Sequence, residues 1–367
     1  MFASGKVVSV VATDGSRPAT MADVARLAGV SHQTVSRVLN EHANVRPATR
    51  ERVLNAIRQL DYRRNMAART LVTRRSQMLG VVTFDTTLYG PASTLFGLEQ
   101  AAREIGYAVS IVSVRRIDRQ AMAEAVTALA DQAVAGIIVI APQRIAVEAL
   151  NDLRVRGARG RIPLVAVEGD HSGKYPVVAV DQNAGARLVT NHLLDLGHTT
   201  VWHVAGPPDW LEAQARVTGW EAALAERGAP VPEPLTGDWS PASGYRAGEE
   251  LAARLAASSP GVPAPTAVFV ANDQMALGML RAFHERGIRV PEDISVAGFD
   301  DIPEAAYLIP PLTTIRQDFG EVGRRSMSLL LSMIDAPEAA DVPQRVVVPP
   351  RLVIRDSTAP PHRSDHQ

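Results

Sequence analysis

Four side chains in the stretch TMADVARLAGVSHQTVSRVLN, residues 20–40, have the types and spacing to read DNA bases: His32, Gln33, Ser36 and Arg37. On a helix, residues four apart share a face, so His32 stacks with Ser36 and Gln33 with Arg37. In a major groove, Gln can pair bidentately with adenine and Arg with guanine. Such a helix must be held by its opposite side, and Val35, Val38 and Leu39 supply the inward residues.

The elements that would position this face are readable around it. Ser31 is an N-cap for the reading helix. A shorter helix precedes it, opening at Thr20 with Asp23 three residues later in a capping-box arrangement, and Val24 and Leu27 give it an apolar face. Gly29 stands where a left-handed C-terminal residue is wanted, and Val30 can pack back on the helix just left. Pro47 opens a third helix through about Leu60, with Val53, Ile57 and Leu60 at helical spacing. Together these read as a helix-turn-helix head. On spacing alone the first two helices also read as an ordinary pair of short surface helices.

Charge favours the DNA reading. Net charge is −1 over 367 residues, which by itself argues against a nucleic-acid binder. From Thr20 to Arg75, however, eleven Arg stand against Asp23, Glu41, Glu51 and Asp61, a net +7. The first nineteen residues add +1 and everything after Arg75 carries −9. A basic head on an acidic body suits attraction to phosphates.

Cysteine is absent, which excludes disulfides, thiolate metal sites and a Cys nucleophile. The opening residues 1–19 lack a long apolar core and read as a disordered extension, not a signal peptide. No apolar run is long enough for a membrane span, and a cytoplasmic location is expected. From Met78 the pattern changes to apolar runs, MLGVVTFD, YAVSIVSV, GIIVIAP and PLVAVEG, separated by amphipathic segments such as Ser93 to Ile105 and Arg119 to Ala130. A second series follows with VVAVD, TVWHVAG, TAVFVAND and ISVAGFD. Buried runs alternating with helices imply parallel sheets, and the two series imply two lobes with strand ends facing a shared crevice.

The run DVARLAGVSHQTVSRVLN together with NMAARTL resembles the DNA-binding signature and hinge helix of the lactose-repressor family of bacterial transcription regulators. In the body the matching runs are TLYGP, AGP, GDWS with SGY, VANDQMALG, GFDD and IPPLTTIRQDF, and here the likeness is nearer to the member that names the family than to the family at large. The resemblance implies a small all-α helix-turn-helix head plus an α/β two-lobed, periplasmic-binding-protein-like body with parallel sheets, its lobes joined by three crossovers. The expected divisions are a disordered extension at 1–19, the DNA-binding domain at 20–63, hinge helix and linker at 64–76, a sugar-binding and dimerisation domain at 77–356, and a disordered tail at 357–367.

The family's functional positions fall on named residues. For DNA they are Thr20, Ser31, His32, Gln33, Thr34, Ser36, Arg37 and Asn40, with Asn65, Ala68 and Leu71 in the hinge. Leu71 would wedge into the minor groove, where apolar side chains unstack and kink a base step. For a sugar they are Asp300 as acceptor, Arg216 as donor, Asn272 and Gln317 as both, Glu168 as a further carboxylate, Trp239 as a flat face for a pyranose, and Leu88, Pro91 and Phe319 as walls. Asp300 and Asn272 also read as helix caps, Arg216 as an ion-pair residue and Trp239 as a core aromatic.

Departures from the naming member are specific. His32 replaces Tyr, which implies a different operator. Glu168 replaces Asp, Phe84 a Ser and Ile140 an Asn, making one wall bulkier and less polar. The expected function is a repressor of carbohydrate-use genes, released from a palindromic operator by a sugar, a galactoside first. A corepressor-dependent regulator and a sugar receptor that never touches DNA are the alternatives. No cofactor or metal is expected, and no enzyme: the chain has no Walker A run, G-x-S-x-G elbow or G-x-G-x-x-G after its first strand. Glu168 with Asp300 could be imagined as a glycosidase pair. The polar end DSTAPPHRSDHQ has no leucine heptads, so a homodimer is expected and not a tetramer.

Overall fold

The computed structural model describes residues 19–40, 42, 44–62, 76–114, 118–140, 142–152, 156–157, 160–168, 175–257, 264–336 and 344–362. The chain divides into two compact units, Met1–Arg75 and Ser76–Gln367. The expected hinge residues Asn65, Ala68 and Leu71, and residues 1–18, lie outside the described residues.

In the first unit, α1 spans Met21–Ala28, α2 His32–Leu39 and α3 Pro47–Gln59. Thr20 and Asp23 form a reciprocal capping box, the Thr20 amide donating to the Asp23 carboxylate at 2.9 Å. Gly29 takes a left-handed conformation, φ 63°, and its amide and that of Val30 donate back to α1 carbonyls. Ser31 Oγ accepts from the Thr34 amide at 3.2 Å and so caps α2. The core is Val24, Ala25, Ala28, Val35, Val38, Val53 and Ala56. Leu27 is a correction: it is 46% exposed. The stripe that α3 covers runs through Val24, Ala25 and Ala28, which leaves Leu27 on the outer side.

The second unit has two six-stranded sheets. The first comprises β1 (Met78–Phe84), β2 (Ala108–Val114), β3 (Ile137–Ile140), β6 (Leu164–Val167), β7 (Val177–Val180) and β13 (Arg345–Val348). Its order is β13-β7-β6-β3-β1-β2, all parallel. β8 (Trp202–Ala205), β9 (Leu235–Thr236), β10 (Ala267–Val270), β11 (Ser295–Asp300), β12 (Thr313–Arg316) and β14 (Arg351–Val353) build the second sheet. There the order is β14-β12-β11-β10-β8-β9, with only β14 antiparallel. A short hairpin, β4 (Arg156–Gly157) with β5 (Gly160–Arg161), stands apart from both.

Helices cover both faces of each sheet, which is why the central strands are continuously apolar. In the first lobe, Val82, Val139 and Ala166 face one layer with Met122 and Leu129. Val81, Ile138 and Val165 face the other, with Leu98 and Leu330. Helix Tyr89–Glu104 begins four residues before the segment read from the sequence, because Leu88 and Tyr89 follow a tight turn after β1. The chain changes lobe three times. It crosses at Asp181, after β7 and before helix Gln182–Asp195, which packs on the second sheet. It returns at Gln317 and Asp318, before helix Phe319–Asp335, and crosses again at Pro349 and Pro350.

The expected tail at 357–367 is corrected in its first part. Ser357 is fully buried, its hydroxyl donating to Val296 O at 2.6 Å and accepting from the Thr313 amide at 2.8 Å. Ala359 is tied to Ser295 and His198. These polar residues complete the backbone needs of β11 and β12, so the body extends at least to Ala359. Residues 363–367 lie outside the described residues.

Candidate functional site

On the head, α2 buries Val35 and Val38 and turns His32, Gln33 and Arg37 to solvent, with Ser36 half-buried beside them and Asn40 exposed at its end. Thr20, Ser31 and Thr34 are engaged in helix capping. His32, Gln33, Ser36 and Arg37 therefore lie on the polar side of α2 with its start locked by Ser31, while Thr20 stands at the start of α1.

In the body, a cavity of about 250 Å³ lies at the strand C-terminal ends between the lobes. All nine residues expected at a ligand line it: Leu88, Pro91, Glu168, Arg216, Trp239, Asn272, Asp300, Gln317 and Phe319. Four follow directly from strand ends, Asp300 closing β11, Gln317 following β12, Glu168 following β6 and Asn272 two residues past β10. Opposite the crossovers the mouth is latched between lobes. Leu211 N donates to Pro142 O at 2.9 Å, Gln143 pairs with Trp210, and Arg144 reaches Gln214 at 3.0 Å.

A buried hydrogen-bond chain crosses the floor. Val180 N donates to Glu168 at 3.1 Å, and Gln182 Nε2 donates to Gln317 Oε1 at 2.8 Å. Gln317 Nε2 donates to Asp300 Oδ1 at 2.6 Å, and Arg216 Nε to Gln182 Oε1 at 2.9 Å. Arg216 also bonds Ala271 O, pairs with Asp300 at 3.6 Å, and lies over the Phe299 ring at 3.8 Å. Gln182 and Gln317 sit on the first two crossovers, so the chain that orders the cavity runs through the lobe hinges. The alternative roles coexist with the lining role. Asn272 caps helix Asp273–Glu285 and donates to Trp239 O, Arg216 is an ion-pair residue, and Trp239 packs in the core at 7% exposure. Asp300 caps no helix; the adjacent Asp301 is held instead by Arg316 and Arg355.

Backbone strain gathers here. Among the described residues, seven that are not Gly have positive φ, and Glu168 (58°), Trp239 (71°) and Asp300 (111°) are three of them. Each such conformation costs about 1–3 kcal/mol and persists where surroundings over-determine it. Trp239 has a further requirement. A Cβ on Gly206 would meet its ring at 2.1 Å, so the Gly of AGP makes room for the indole, which stands edge-on to Trp210 at 5.5 Å.

Burial dominates the electrostatics. It pushes the Asp300 carboxyl up to about 6 despite Arg216 and Gln317, and Glu168 up to about 7 despite the Val180 amide and Arg216. Glu212, missed in the sequence, is raised well above its ordinary value by burial and then by Glu168. Its Oε2 is fully enclosed without a hydrogen-bond partner, as is Trp239 Nε1. A first-turn Glu gains about 0.3–1 kcal/mol from the helix dipole only when ionised, and burial holds this carboxyl toward its protonated form. Helix stabilisation therefore does not account for Glu212. The signal that found Asp300, closeness to a strand end, could also have found Gln182 just past β7; Trp210 and Glu212 lie well beyond the end of β8, at and inside the start of helix Leu211–Glu226, and carried no such signal.

Glu168 makes the body's stability depend on pH. Its carboxyl holds a proton more tightly when folded, so its contribution is complete below the ordinary value near 4.5 and is lost as pH rises through about 7. Glu168→Gln removes that slope and is expected to be more stable than the parent at pH 8 by on the order of 1–3 kcal/mol, at about 1.4 kcal/mol per pKa unit. Urea unfolding at pH 5 and pH 8 measures it; equal slopes in parent and variant would assign the dependence to another group.

A model of the lacI family of bacterial regulatory proteins matches residues 20–65, and a periplasmic binding protein-like domain matches residues 190–358. The lactose operon repressor of Escherichia coli is 34% identical over 346 residues, 94% of this chain and 92% of that protein. An HTH-type transcriptional repressor, PurR of Haemophilus influenzae, is 32% identical over 92% of this chain and 98% of its own length. Among solved structures, the lac repressor dimer bound to operator and the anti-inducer ONPF superposes with a TM-score of 0.79, 34% identity, and coverage of 94% of this chain and 100% of that one.

Proposed function

Because the chain belongs to the lacI family of bacterial regulatory proteins, DNA-binding transcription regulators with a ligand-binding body, we propose that it represses carbohydrate-use genes and leaves its operator when a sugar, first a galactoside, enters the crevice. The observation that carries this is the cavity itself: set between aromatic walls, floored by a hydrogen-bond chain, and lined by Glu212 and Trp239, each with a buried polar atom that lacks a hydrogen-bond partner. Buried polar groups need partners, and a polyhydroxylated ring with one apolar face supplies them. At about 250 Å³, the cavity is just below the usual range of ligand pockets, about 300–1,000 Å³. That favours one or two rings over a longer oligosaccharide.

The operator is read by a homodimer, a form supported by the lac repressor dimer on its operator. Two-fold symmetry then places the α2 faces in successive major grooves of a palindrome. Sugar bridging Glu168 on one lobe with Asp300 and Arg216 on the other shifts the lobes about Gln182 and Gln317, and DNA affinity falls. Coupling of this kind is reciprocal, so operator must weaken sugar binding by the same factor.

The test begins by selecting operator DNA from random duplexes, then titrates the complex with galactosides, other glycosides and purines. A glycoside that lowers DNA affinity, with sugar affinity reduced equally by operator, is the expected result. A glycoside that binds with no change in DNA affinity would sink the repressor mechanism, and a purine that tightens DNA binding would reverse the sign to corepression. On the selected site, Arg37→Ala is expected to cost about 1–3 kcal/mol and relax preference at one base pair. A uniform loss across sequences would make Arg37 a phosphate contact.

A further inference from the structure

Glu212 offers the ligand an acidic group for which the cavity, among its described lining residues, holds no cation of its own. The cavity is lined by three carboxylates, Glu168, Glu212 and Asp300, and among the described lining residues Arg216 is their one cation. Arg216 is committed to Asp300, Gln182 and Ala271 O. Glu168 is provided for by the Val180 amide and by Gln182 at 3.5 Å. Glu212 keeps an enclosed Oε2 that accepts from nothing, and the charged groups facing it are Glu168, Arg216 and Asp300. A sugar hydroxyl would satisfy that oxygen and leave the Glu212 carboxyl held toward its protonated form, with three carboxyl groups around one guanidinium. An ammonium group both donates hydrogen bonds and neutralises the carboxylate. Trp239 Nε1, on a residue 7% exposed, is a second buried polar atom without a partner, here a donor.

We propose that Glu212 recognises a protonated amine, and that the effector is an amino sugar or a glycoside of one. This rests on the sugar-site reading above and names its ligand class.

The test uses the full-length protein and methyl galactoside and methyl glucoside, each beside versions carrying an amino group at C2, C3 or C6 and beside their N-acetylated forms. Binding at pH 7 is read from the fluorescence of Trp210 and Trp239 and checked by calorimetry. At least one amino glycoside is expected to bind about tenfold or more tighter than its hydroxyl parent and its N-acetyl form. That preference should fall below about threefold in Glu212→Gln, which keeps the shape and removes the charge. Equal binding of amino and parent glycosides by the unmodified protein would overturn the proposal, a result independent of how the variant folds. So would a preference that survives Glu212→Gln. Neutral glycosides that bind and release DNA without any amine preference would leave the sugar site standing and remove only the amine. Failure of the whole panel to bind would remove both.

Discussion

Arg216→Met is expected to destabilise the body by about 3–5 kcal/mol at pH 7.5, the cost of leaving one side of a buried ion pair without its partner. Arg216 is 4% exposed and Asp300 6%, so solvent cannot take over the lost contact. Glu168 and Glu212 lose the same counter-charge. The side chain also fills the space over Phe299, and Met is chosen to keep much of that packing, which isolates the charge. Part of the loss should return at pH 5, where Asp300, held near 6 in the parent, can be protonated. All four Trp, at 202, 210, 220 and 239, lie in the body, so urea unfolding followed by Trp fluorescence reports that unit alone. A cost below about 1 kcal/mol with no pH dependence would mean that the pair is solvated and Arg216 is not the organising charge.

Asp300→Asn should act on the ligand more than on the fold. Asn keeps an oxygen for Gln317 Nε2 but gives up charge-assisted acceptance, worth about 1.5–3 kcal/mol per bond. That corresponds to roughly a tenfold to hundredfold weaker sugar affinity. Operator binding without sugar should be unchanged, so the variant is expected to stay on DNA at sugar concentrations that release the parent. Direct titration of sugar and a DNA-release curve together measure this. Full ligand response in Asp300→Asn would mean that the crevice carboxylate does not contact the effector.

Local chemistry was legible wherever a few neighbouring residues decide it. The Thr20–Asp23 box, the left-handed Gly29 and the Ser31 cap all involve contacts within a few positions. Strand runs were legible for the same reason, since a strand buried on both faces must be apolar along its whole length. The run YAVSIVSV is a correction, because β2 lies at the sheet edge and is buried only at Val114, with Ile111 48% exposed. Leu27 was misread because a helix of eight residues offers more than one plausible apolar stripe, and only α3 selects among them. Ser357 was misread because a short polar, Pro-containing end has the composition of a tail. Its burial depends on unmet backbone groups of Val296 and Thr313, more than forty positions away.

The sequence by itself determined the basic head, the polar side of its second helix, the two strand series and the nine residues that the family likeness carried to the crevice. Those properties depend on residue type, on short spacing, or on motifs that survive as contiguous runs. Tertiary structure alone decided how the charges are shared: that Arg216 pairs with Asp300 while its charge also reaches Glu212 and Glu168, that Gln182 and Gln317 link the hinges, and that Leu211 closes on Pro142 between the lobes. Burial and counter-charge are properties of surroundings assembled from distant parts of the chain, and no local pattern encodes them.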